Sequence, residues 1–259
     1  VEFPHAKVIL PGLVSAYIGS DITVGLSASH IVDSNKTVLY IDIGTNGEIV
    51  LLHKGALYCC SSAAGPAFEG ASISQGIGAV KGAIDHVWLD QSGEVGYSTI
   101  DGGEAIGICG SAVIDIVALL LTLGLVDETG AMDKGHPLAN RYLTISDDKV
   151  AFSITEAICF TDRDVREVQL AKAAIAAGCE VLLHENHLDV SSLDSVIIAG
   201  GFGSFIHIEK ARRIGMLPPI SLDKISAIGN AAGKGALQVL LIEGEDEQVE
   251  EIRTRSQYI

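Results

Sequence analysis

The 259-residue chain is 48% hydrophobic and carries a formal net charge of −16, so it can bury one large core or two smaller ones and is not disordered. The negative charge repels polyphosphate backbones and anionic membrane surfaces, which argues against nucleic acid as a partner. Its most apolar run, residues 112–126, is shorter than the roughly 20 residues that cross a bilayer and contains Asp115, so no membrane-spanning helix is expected.

In chain order, the opening VEFPHAKVIL lacks the basic start and apolar block of a signal peptide and reads as the interior of a longer protein, so the chain is expected to be a fragment. Lys7–Leu10 predicts a short strand and Asp21–His30 a helix. Three strands then follow in quick succession, at Val38–Ile43, Glu48–His53 and Ala56–Cys60. The Asn46-Gly47 pair between the first two predicts a type I′ hairpin turn, which requires positive φ at both central residues. Ser111–Leu123 reads as an apolar helix, residues 127–160 as a loop-rich excursion, and Val150–Ile154 as a strand within it. A long helix follows, with Val165, Val168, Ile175 and Leu182 in its apolar stripe and a capping box from Thr161 to Asp164 at its start. Ser195–Ala199 is a buried strand and Asn230–Leu241 a closing helix. A hairpin plus a third strand, followed by helices alternating with single strands, predicts an α/β fold with a mixed sheet covered on both faces. Its core should include Leu39, Ile41, Ile43, Val50, Ile116, Val117, Leu120, Val168, Ile175, Val196, Ile198 and Leu237.

Of the five cysteines, Cys59 and Cys60 are adjacent, and Cys109, Cys159 and Cys179 stand alone in apolar surroundings. None has the CxxC spacing of zinc or iron–sulfur sites, so they read as small buried hydrophobes of a reducing cytoplasm. His184 and His187 sit at the polar end of the long helix without further ligands at metal spacing, and read as a solvated terminus.

Chemistry concentrates at three glycine turns. Asp42 interrupts a strand that is apolar at both parities, where an ionised carboxylate costs several kcal/mol unless it is paired or faces a cation. The following Gly44, Thr45, Asn46 and Gly47 make a tight turn whose amides and Thr45 hydroxyl can converge on an anion. Phosphate binding and an ordinary hairpin with a hydrogen-bonded core aspartate fit this stretch equally well. The second turn, Gly107 to Ser111, precedes the apolar helix, so Ser111 can cap it while free amides near Gly110 hold a phosphate. Asp115 lies one helical turn further on, on the same face. The third, Gly200, Gly201 and Gly203 around Phe202, lies at a strand's carboxyl end, where open α/β sheets place ligands. Glu69, the single charge in CCSSAAGPAFEGASI, is a candidate general base or magnesium-water ligand, and equally a helix-capping carboxylate.

Taken together these stretches resemble one family, the reductive activators of corrinoid proteins, whose large C-terminal domain belongs to the actin, sugar-kinase and heat-shock-chaperone ATPase superfamily. The resemblance rests on IDIGTNGEIVL (41–51), AAGPAFEGA (63–71), GICGSAVID (107–115), DVREVQLAKAAIAAG (164–178), AGGFGSFI (199–206) and IGNAAGKGAL (228–237). It implies a ribonuclease-H-like sheet of five strands, with 1–35 the tail of a first ATPase subdomain and 36–259 the second. It further implies a cytoplasmic, ATP-dependent enzyme of an anaerobic methyl-transfer system that returns a corrinoid protein from Co(II) to Co(I). By analogy Asp42 and the Gly44–Gly47 turn meet Mg2+ and phosphate, Gly110 and Ser111 form an opposing loop, and Gly200–Gly203 lie near the adenosine. A homodimer is compatible with this picture. The family's [2Fe-2S] cluster is expected only in a separate N-terminal domain, since the cysteines here have no pattern to hold one. Ala112 stands where the second loop would be expected to carry glycine. Two alternatives are a small-molecule kinase of the same superfamily, with Glu69 as its catalytic carboxylate, and a non-catalytic interaction module.

Overall fold

The computed structural model describes residues 5–6, 8–127, 129–146 and 149–259. The chain opens with α1 (Ser20–Ser29) and the meander β1 (Val38–Ile43), β2 (Gly47–His53) and β3 (Ala56–Ser62). It continues with β4 (Ala83–Leu89), β5 (Val95–Thr99), β6 (Gly107–Ile108) and α2 (Gly110–Leu123). Next come α3 (Ala139–Tyr142), β7 (Leu143–Ser146), β8 (Lys149–Ser153), β9 (Cys159–Thr161) and α4 (Asp162–Glu185). The last elements are β10 (Ser195–Ala199), α5 (Ile208–Arg213), β11 (Ile225–Gly229), α6 (Ala231–Leu241), α7 (Glu245–Arg255) and β12 (Ser256–Tyr258).

The main sheet has the order β11-β10-β1-β2-β3-β12. β1 runs parallel to β10 and antiparallel to β2, so the sheet is mixed. Leu39, Ile41, Ile43, Ile49 and Leu51 face a core shared with α2 and α4, through Ile116, Val168 and Ile175. The alternate residues Val38, Tyr40, Val50 and Leu52 face a second core closed by Ile22 and Leu26 of α1, Ala231 of α6 and Ile252 of α7. Helices on both faces explain why β1 is apolar at both parities. Two small sheets, β5-β4-β6 and β7-β8-β9, flank this framework. No helix among the described residues is long and apolar enough to cross a membrane.

α4 begins with the expected capping box: Asp164 N–H donates to Thr161 Oγ1, and Thr161 N–H donates back to the Asp164 carboxylate. Other expectations are corrected. The sheet has six strands rather than five, because Ser256–Tyr258 pairs along β3; three residues, two of them polar, carry too little pattern to be read as a strand. α7 follows α6, so Asn230–Leu241 does not close the chain, and Leu237 is 55% exposed rather than core. Residues 8–10 form no strand, and Lys7 lies outside the described residues.

The β1–β2 turn is also not type I′. Ile43 pairs with Gly47, leaving Gly44–Asn46 as the loop, and neither Asn46 nor Gly47 has positive φ. Gly47 is required by packing instead: a Cβ there would lie 2.8 Å from Ser62 Oγ and 3.1 Å from Ile175 Cγ1.

Candidate functional site: a glycine-lined crevice beside Asp42

Strand parity fixes where Asp42 points. It shares a face of β1 with Tyr40, towards α1, and pairs across the hairpin with Glu48. Burial first, then the charge of Asp21 in α1, pushes the Asp42 carboxyl up to about 6, while the Tyr40 hydroxyl pulls the other way. Burial also raises Glu48, to about 7, with Asp21 and Asp42 adding to the effect. The buried Tyr40 hydroxyl has no partner in strict hydrogen-bond geometry, yet lies near enough to Asp42 to favour its ionised form. Such a group of acids, with no Lys or Arg among the described residues offsetting it, is an environment prepared for positive charge. Asp21 and Glu48 were missed in the sequence. Glu48 was open to inference from hairpin pairing, whereas Asp21 comes from a helix whose docking no local pattern reveals.

The turn after Asp42 reaches its second partner through a side chain. Thr45 Oγ1 donates to Glu69 Oε1 at 2.5 Å, joining the hairpin to the 3-10 turn Pro66–Glu69. A cavity of about 200 Å3 opens there, lined by Ile43, Gly44, Phe68, Glu69, Gly201 and Phe202. A larger one of about 680 Å3 shares Phe68, Glu69, Gly201 and Phe202 and adds Gly110 and Ser111. One glycine of each turn, Gly44, Gly110 and Gly201, thus lines one of two adjoining cavities with shared walls, and Phe68 and Phe202 stack between them with centroids 5.5 Å apart.

The glycines are demanded by close approach. A Cβ on Gly110 would sit 1.7 Å from the Phe68 carbonyl oxygen, so only glycine lets α2 start against the Pro66–Glu69 turn. Gly200 has φ 92°, and a Cβ there would lie 2.6 Å from Ile43 O and 2.8 Å from Asp42 Oδ1. Gly200 and Gly203 are not among the cavity-lining residues; Gly203 packs against Ile198. Asp42, Thr45, Asn46 and Gly47 do not line it either, so of the first turn only Gly44 reaches the crevice wall.

Ser111 does not cap α2. Cys109 occupies the cap position without a side-chain bond to the helix amides, and Ser111 Oγ donates to Asp85 O at 2.7 Å. Asp115 does not reach the crevice surface: it is fully buried beneath it, with His86, His207 and Lys210 around its carboxylate. Ala112 is likewise fully buried, in the α2 core.

A mixed sheet between two helical layers, with a glycine-turn hairpin at its centre and a crevice across its strand ends, is an actin-like ATPase fold. Residues 36–259 match the family model described as the C-terminal domain of RACo, the ASKHA domain, and the chain belongs to that family. It is 38% identical over 256 residues to the corrinoid activation enzyme RamQ of Eubacterium limosum, covering 93% of this chain and 42% of that protein. It is 28% identical over 271 residues to the Co(II) methylated amine-specific corrinoid protein reductase of Methanosarcina barkeri, covering 96% of this chain and 47% of that one. A solved structure of a reductive activator for corrinoid, iron-sulfur protein superposes with a TM-score of 0.88 at 38% identity, over 97% of this chain and 41% of that chain. The chain spans less than half the length of each of these proteins.

Proposed function

We propose that the protein carries out ATP-dependent reductive activation of a corrinoid methyl-carrier protein, and that this chain is its nucleotide- and partner-binding part. In that reaction one electron, supplied by an iron–sulfur centre in a separate domain, converts Co(II) to Co(I). The step is uphill, so nucleotide binding or hydrolysis must be coupled to a change at the corrinoid site. Residues 1–35 are assigned to the end of a preceding ATPase subdomain, 36–259 to the second, and the protein to the cytoplasm.

The observation that carries this reading is the Thr45–Glu69 hydrogen bond, which brings the Asp42 hairpin onto the crevice bordered by the other two glycine turns. Among the described residues no Lys or Arg lines either cavity, while Glu69, Asp85 and Asp101 line the larger. A triphosphate there is held by backbone amides and needs a divalent cation to offset the acids. Asp42, with Glu48 and Asp21 behind it, is the residue assigned to Mg2+. Glu69, oriented by Thr45, is the carboxylate assigned to the attacking water. Phe68 and Phe202 supply apolar walls, with Gly201 on the adenosine side. The three relatives described above are named as corrinoid activators or reductases, which favours this reading over a small-molecule kinase.

Two measurements test this. Calorimetric titration of the chain with Mg·ATP should show binding that Asp42→Ala weakens at least tenfold. Anaerobic ATP turnover should rise when a corrinoid protein poised at Co(II) is added, and Glu69→Gln should reduce that turnover. Equal affinity in wild type and Asp42→Ala, or equal turnover in wild type and Glu69→Gln, would refute the assignment.

A further inference from the structure

Asp115 is the one charged residue of α2 and is fully buried. Four donors converge on it. Lys210 Nζ is 2.9 Å and His207 Nδ1 2.8 Å from Oδ1, while His86 Nδ1 is 3.1 Å and the Val87 N–H nitrogen 3.2 Å from Oδ2. Lys210 alone would balance the buried charge, so two further imidazoles exceed what neutralisation requires. They stand 4.4 Å apart between centroids, each turning Nδ1 to a different oxygen of the same carboxylate.

We propose that His86, Asp115 and His207 form a site for a divalent transition-metal ion of the zinc class, separate from the Mg2+ position assigned to Asp42 and independent of that assignment. Each of the three offers one ligand atom, and these atoms lie within 4.8 Å of one another. Bonds of about 2.0–2.2 Å hold two ligand atoms at most roughly 4.4 Å apart, so the three need to draw in only slightly to share one ion. Two neutral imidazoles and a carboxylate are a donor set for Zn2+ or its neighbours, and not for Mg2+ or Ca2+, which take oxygen ligands. His86 also lines the larger cavity, so a remaining coordination position is open to water or to a molecule held there. Without the ion, the Lys210 ammonium occupies Asp115 Oδ1. Ion and ammonium compete for that oxygen, and Lys210, whose side chain is 32% exposed, has solvent into which to withdraw.

This competition gives the site a signature that a purely structural ion pair lacks: removing the lysine should tighten metal binding. Metal-free chain is titrated calorimetrically with Zn2+, and Co2+ is added in parallel so that its visible absorption reports tetrahedral coordination. The expected result is one Zn2+ per chain, with affinity at least about 100-fold lower in His207→Ala and His86→Ala, since even residues behind the ligands are worth about 10–100-fold. Lys210→Met should bind about tenfold more tightly, because a like charge has left the site. Zn2+ should also raise the Tm of the wild type and not of His207→Ala, since the ligands tie β4, α2 and the residue before α5 together. Both histidines are partly exposed, so their truncation should leave the fold intact, as circular dichroism would verify. Absence of saturable Zn2+ uptake by Lys210→Met would overturn the proposal. So would uptake unchanged by both histidine substitutions, which would put the ion on the cysteines or surface carboxylates.

Discussion

Asp42 and Asp115 are two carboxylates taken out of water by the same protein, and it treats them in opposite ways. Asp115 is wholly buried, yet it is surrounded by Lys210, His86, His207 and a backbone amide. Asp42 is only half-buried, but its charged neighbours are Asp21 and Glu48, and its carboxyl is pushed up to about 6. Depth alone therefore does not set the state of a buried acid. Compensation does: the deeper group is fixed in place by donors, and the shallower one is left in need of a cation.

The largest effect is expected at the compensated group. Asp115→Ala removes the acceptor shared by four donors, of which the Val87 amide is buried and cannot turn to solvent, and should destabilise the fold by about 2–4 kcal/mol, measured by urea unfolding. A loss below about 1 kcal/mol would mean that the four donors find other partners, and the contrast with Asp42 would collapse.

Asp42→Asn should act with the opposite sign. The folded-state pKa of Asp42 lies above its ordinary value, so the folded protein holds the proton more tightly than the unfolded chain. Stability is therefore highest below about pH 4 on this account and falls as pH rises through about 6. Replacing the group by a neutral amide should stabilise the protein by about 1–3 kcal/mol at pH 7 and by little at pH 4, while weakening Mg·ATP binding. A variant less stable than wild type at both pH values would show that Asp42 is a structural hydrogen-bonding residue.

Tyr40→Phe should have the smallest effect. Its hydroxyl is buried without a geometric partner, so its removal should change stability by less than about 0.5 kcal/mol. Because that hydroxyl favours ionised Asp42, the Asp42 pKa should move further up, as followed by NMR titration of the carboxyl carbon. An unchanged pKa would show that the two side chains do not interact.

Much of the framework was legible from residues alone. β1 and β10 run over the residues expected, and the α4 capping box is formed by the two residues named for it. These features are local: an apolar run bounded by turns, or a Thr and an Asp three positions apart, carries its meaning within a few residues. What was missed is short or two-faced. β4 (AIDHVWL) and β5 (VGYST) show no period-two alternation and lie in a small sheet, and α7 buries only a narrow stripe around Val249 and Ile252.

Sequence by itself determined that three glycine turns flank buried elements, that Asp42 and Asp115 are charges in apolar segments, and which superfamily the chain resembles. Only the tertiary structure decided what those charges meet. His86 and His207 lie 29 and 92 positions from Asp115, and Glu69 lies 24 from Thr45. The sequence marks where a carboxylate enters the interior, because the cost of burying it is local. Whether that cost is offset by a lysine or left for a cation depends on which helices dock above the strand, and that is set by packing of the whole core.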